Sequence, residues 1–82
     1  MGEGMATNWQ MTVYEGQYQL LDKMPPGVKA WGWQDEICPD TGRKHRQGYV
    51  QLTRQQRLSF LRKILPGVHV EIARNIQDLI LY

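Results

Sequence analysis

An α+β fold, with an antiparallel sheet covered by helices on one side only, is what this 82-residue chain predicts. Three observations carry that expectation. Apolar and polar residues alternate with a period of two in four separate stretches, as in half-buried strands. Two stretches with helical spacing fall between the first and second and between the third and fourth of them. The second and third strands are joined only by a short Pro- and Gly-containing cluster, which permits a hairpin and no crossover. The resulting order, β-α-β-β-α-β with a short final helix, is the ferredoxin-like split β-α-β plan. In that plan one face of the sheet stays open for chemistry or binding.

Residues 1–8 are weakly patterned and open with two glycines in four residues, so they read as a tail preceding a single domain over 9–82. The first strand runs from Trp9 to Tyr14, with Trp9, Met11 and Val13 on one side and Gln10, Thr12 and Tyr14 on the other. A helix is expected over Gln17–Met24, where Leu20 and Met24 are four apart and Tyr18 and Leu21 three apart. Pro25-Pro26-Gly27 stops it. The second strand spans Val28–Ile37, with Trp31, Trp33 and Ile37 as its core set and Gly32, Gln34 and Glu36 on the open side. Cys38-Pro-Asp-Thr-Gly42 makes the turn.

The third strand follows over Lys44–Leu52. His45, Gln47, Tyr49 and Gln51 alternate with Arg46, Gly48, Val50 and Leu52, of which Val50 and Leu52 should meet the helices. Thr53 is the expected N-cap of a helix over Arg54–Leu65 with Leu58, Leu61 and Leu65 as its apolar stripe, ended by Pro66-Gly67. The fourth strand, Val68–Ile72, turns Val68, Val70 and Ile72 inward and His69 and Glu71 outward, and Asn75 caps a final helix reaching Tyr82.

Composition narrows the functional classes. With 41% hydrophobic and 22% charged residues the chain is an ordinary globular mix, neither fibrous nor wholly disordered. Its apolar runs fall far short of the roughly 20 residues of a membrane span, and no leader pattern opens it, so neither membrane residence nor secretion is expected. A single cysteine, Cys38, has no partner for an internal disulfide. Charge is unevenly distributed: residues 1–42 hold two basic against six acidic side chains, net −4, and residues 43–82 hold eight against two, net +6. Such asymmetry suits a polyanionic partner, and equally a solvated basic face.

Period-two sorting places one carboxylate, one imidazole and one amide on the open face. A hairpin turning at 38–42 brings Glu36 beside His45 and Gln47. Two oxygens and one nitrogen suit Mg²⁺ or Mn²⁺ better than the sulfur-rich sets of zinc. The plainer reading is a polar, solvent-facing set. Likewise His69 and Glu71 either support that site or contact nucleic acid, or belong to a cross-strand polar pair.

The segment Lys44-His-Arg-Gln-Gly-Tyr-Val50 resembles the metal motif of HUH-type replication initiators, the Rep endonuclease domains of small circular single-stranded DNA viruses. Glutamine in place of the second histidine is the circovirus- and nanovirus-like form. Glu36-Ile-Cys-Pro-Asp-Thr-Gly42 is similar to the family's acidic residue and turn, and Asn8-Trp-Gln-Met-Thr-Val13 to its opening strand. Leu58 to Glu71 is similar to the helix, turn and strand that follow, so the resemblance spans Trp9–Tyr82.

The resemblance implies an enzyme, a nuclease and nucleotidyltransferase. Tyr82 would be the nucleophile of a Tyr-x-x-Lys motif and Glu36, His45 and Gln47 the ligands of Mg²⁺ or Mn²⁺. It implies nicking and joining of single-stranded DNA at a stem-loop origin, through a 5′-phosphotyrosine, to start rolling-circle replication in the host cell nucleus. The motif's lysine and a further strand would lie beyond Tyr82, so the domain is expected to be cut at its C-terminus. Tyr14 departs from the asparagine that many members carry there. Arg43, Lys44, Arg46, Tyr49, Arg54 and Arg57 are the expected DNA contacts, since arginines neutralise phosphates while an aromatic ring stacks bases. Two other readings remain: a non-enzymatic module binding single-stranded nucleic acid, and an assembly domain self-associating through an exposed sheet edge.

Overall fold

The computed structural model describes residues 4–73. It contains a four-stranded antiparallel sheet and two helices, the α+β ferredoxin-like arrangement that the element order predicts. The strands are β1 (Ala6–Tyr14), β2 (Val28–Ile37), β3 (Lys44–Gln56) and β4 (His69–Ile72), in the spatial order β2-β3-β1-β4. A 3₁₀ helix (Glu15–Leu21) follows β1, and α1 (Leu58–Ile64) links β3 to β4. The final helix expected after Asn75 lies outside the described residues.

One parity of each central strand builds the core. Trp9, Met11 and Val13 of β1 and Val50 and Leu52 of β3 are buried beneath Leu21 of the 3₁₀ helix, Leu61 of α1, and Leu65 and Val68 beside it. These are the inward positions expected from the alternation. The other parity, with Gln10, Thr12 and Tyr14 on β1 and His45, Gln47 and Tyr49 on β3, forms a second face that no described helix covers.

Four expectations are corrected. First, β1 begins at Ala6, inside the stretch read as a tail, because Ala6 pairs with Gln56 and its carbonyl accepts from the Trp9 indole at 3.0 Å. Second, the first helix is 3₁₀ and ends at Leu21. Its i+3 geometry aligns Tyr18 with buried Leu21, while Met24 lies beyond its end, exposed, and precedes a proline, which disfavours helical backbone there.

Third, the second helix starts at Leu58, and Thr53 is no cap. The chain to Gln56 stays in the sheet, where the Thr53 amide donates to the Gly27 carbonyl at 2.9 Å, and Arg57 takes the N-cap position without a side-chain bond. Fourth, Ile37 is 65% exposed and Ile72 39% exposed, so neither belongs to the core. Both end their strands; Val28, Trp31 and Trp33 are the β2 residues that pack against the core, the two tryptophans edge to face at 5.8 Å.

The β2–β3 turn is tight. The Cys38 amide donates to the Arg43 carbonyl and the Gly42 amide to the Cys38 carbonyl, each at 2.8 Å, with Gly42 at φ +71° where a Cβ would be strained. This turn fixes the register that pairs Glu36 with His45, and with it the geometry of the open face.

Candidate metal and nucleic-acid face

Cross-strand rows run over the open face. One row is Glu36–His45–Tyr14, the next Gln34–Gln47–Thr12–His69, and the next Gly32–Tyr49–Gln10–Glu71. Each row collects side chains from β2, β3 and β1, and neighbours along a row are held at cross-strand spacing by the backbone.

In the first row Glu36 Oε1 lies 3.9 Å from His45 Nε2. That separation is too long for a hydrogen bond, so the two donors are close without being spent on each other. The Tyr14 ring is 6.0 Å from the imidazole, and the Arg43 guanidinium sits 5.0 Å from the centre of the Tyr14 ring. In the second row the Thr12 hydroxyl donates to Gln47 Oε1 at 2.8 Å. In the third, the Tyr49 ring lies over Gly32, where an added Cβ would stand 2.8 Å from its Cε1. His69 Nε2 is 3.1 Å from Glu71 Oε1, a pair along one exposed strand and not a cross-strand pair.

A family model described as "Putative viral replication protein" matches residues 6–79. The chain belongs to that family. Its members act in viral replication, and the match spans every strand and helix described above. No curated protein matches the chain.

The residues expected to hold a divalent ion fit that chemistry in part by placement and wholly by type. Glu36 and His45 converge, and Gln47 projects from the same face two residues along β3. A carboxylate oxygen, an imidazole nitrogen and an amide oxygen form a mainly hard donor set. Among the described residues no three His, Cys, Asp or Glu side chains gather at one point, so an amide oxygen is what would complete the set.

The expected DNA contacts divide between the two faces. Arg43 stands at the His45 end of the open face, and Tyr49 lies within it. Lys44 and Arg46 share the opposite parity and face the helix side, where they line a pocket of about 410 Å³ with Glu15, Tyr18, Asp35, Glu36 and Ile37. There the Arg46 Nε donates to Asp35 at 3.0 Å, and its guanidinium stacks 4.1 Å from the Tyr18 ring centre and 5.4 Å from that of Trp33. Partial burial and then the Asp35 carboxylate raise the Tyr18 phenol pKa, against the pull of Arg46. Arg54 ends up on β3 and Arg57 at the head of α1, both exposed. Tyr82 lies outside the described residues.

Arg46 therefore has a packing role that alternation alone did not reveal. Arg46→Ala should lower stability by about 1 kcal/mol, chiefly through the lost stacking, because Asp35 is exposed and its ion pair worth little. Urea denaturation measures the effect.

The residues that sequence reasoning did not assign to the site are Thr12 and Tyr14. The signal was present: both fall on the side of β1 opposite Trp9, Met11 and Val13. What it lacked was the β1–β3 register, which alone sets Thr12 against Gln47 and Tyr14 against His45.

Proposed function

We propose that this chain is the nicking and joining domain of a viral replication initiator, cutting single-stranded DNA at a stem-loop origin to start rolling-circle replication in the host cell nucleus. The observation that carries this reading is the approach of Glu36 to His45 on an uncovered sheet face, with Gln47 beside them, in a member of a viral replication protein family.

A tyrosine hydroxyl is a weak nucleophile near neutral pH, where it is almost wholly protonated. In the reaction, the Tyr82 oxygen forms a bond to the scissile phosphorus and the bond to the 3′ oxygen breaks. The phenol gives up its proton and the departing 3′ oxygen gains one. The phosphate stays on Tyr82 as a 5′-phosphotyrosine, and the reverse attack by a 3′-hydroxyl rejoins the strand. Glu36, His45 and Gln47 would hold Mg²⁺ or Mn²⁺, which supplies charge stabilisation at the phosphate oxygens when bound. His45 would offer an imidazole ring nitrogen to that ion. Arg43 neutralises backbone charge beside the metal ligands, Tyr49 offers a flat ring to a base, and exposed Arg54 and Arg57 extend the contact along the strand.

The test uses the full-length protein with Mn²⁺ and an origin stem-loop oligonucleotide. Cleavage to a free 3′ end, with a protein–DNA adduct on denaturing gels, is expected, and Tyr82→Phe should remove both. Binding without cleavage or adduct would instead leave a non-enzymatic nucleic-acid-binding module.

A further inference from the structure

We propose that Thr12 is a positioning residue for the metal site, holding the Gln47 side chain so that its oxygen, and not its amide nitrogen, serves as the ligand. This rests on the metal-dependent reading above. Thr12 and Gln47 are direct register partners on β1 and β3, and the Thr12 hydroxyl donates to Gln47 Oε1 at 2.8 Å.

The terminal torsion of a glutamine is broad and roughly two-fold, so an unrestrained amide presents NH₂ about as readily as oxygen. Only the oxygen can ligate a cation. A hydroxyl can donate or accept; here Thr12 donates to Oε1, and that bond holds the amide in one of its two orientations. An amide oxygen has two lone pairs that diverge in the amide plane. Thr12 takes one and leaves the other for a cation.

Thr12 is half-buried on a strand with a neighbour on either side, β3 and β4, so its backbone is fixed. Such partners behind a ligand typically contribute 10–100-fold to metal affinity.

Isothermal titration of the full-length protein with Mn²⁺ alone, in the absence of DNA, tests this. Thr12→Val keeps the shape and β-branching but removes the donor. It should weaken Mn²⁺ binding by about tenfold, while leaving the unfolding temperature of the metal-free protein unchanged. Thr12→Ser restores the donor and should restore affinity. In a Gln47→Ala background Thr12→Val should cause no further loss.

Wild-type or tighter Mn²⁺ binding by Thr12→Val, failure of serine to rescue, or an equal loss without Gln47 would each overturn the proposal. If Glu36→Ala and His45→Ala also leave Mn²⁺ binding intact, the metal reading itself falls. If those two weaken it and Thr12→Val does not, only the role of Thr12 falls.

Discussion

Gly48→Ala should destabilise the domain by at least about 3 kcal/mol, beyond the usual range for an overpacked core site. Gly48 is buried in β3 between Met11 of β1 and Trp33 of β2. A methyl group there would overlap the Gly32 carbonyl oxygen and stand 2.7 Å from both Cα and Cβ of Trp33. None of these atoms is the free end of a side chain, so relief requires β2 to move away from β3. That movement would also disturb the pairing of Glu36 with His45 further along the same ladder. For a domain of this size total stability is on the order of 4–12 kcal/mol, so the loss would be a large fraction of it. Gly16→Ala is the matched control, since an added Cβ there meets nothing within 4 Å. Urea denaturation followed by circular dichroism measures both variants. A Gly48→Ala protein within about 1 kcal/mol of wild type would show that β2 yields without the cost of overpacking.

His45→Ala should reduce Mn²⁺-dependent nicking by about 10²–10³-fold, the usual cost of removing one group that stabilises a developing negative charge. The imidazole is the only nitrogen donor in the candidate set, and it lies 3.9 Å from the Glu36 carboxylate. Direct Mn²⁺ titration should show the same variant binding the ion more weakly, whereas its folding stability should change little because His45 lies outside the buried core.

Mn²⁺ affinity unaltered by the substitution would separate His45 from the site.

The face on which these residues lie is legible in the sequence. Trp9, Met11, Val13, Val50 and Leu52 define an inward parity, and period two then leaves His45, Gln47, Thr12 and Tyr14 on the opposite side. The approach of Glu36 to His45 is legible too, because a short turn between two strands of opposite direction leaves little freedom of register. These inferences succeed because strand geometry and short turns are local constraints.

Other features are hidden for the complementary reason. Arg46 looks like a phosphate ligand in a basic segment, but Asp35, Tyr18 and Trp33 converge on it from two other elements. The start of α1 at Leu58 follows from the pairing of Gln56 with Ala6, fifty residues away in the chain. Thr12 acquires its bond to Gln47 only through the β1–β3 register.

By itself, then, the sequence determined where the four strands lie, which side of the two central strands is apolar, and which polar residues share the uncovered face. Alternation and turn chemistry act over a few residues, and water sorts apolar from polar whatever the distant partners. Only the tertiary structure decided where the helices begin, which strand ends escape the core, and which side chains converge on Arg46. Those outcomes depend on contacts between segments far apart in the chain, where distances are set by the packing of the whole sheet.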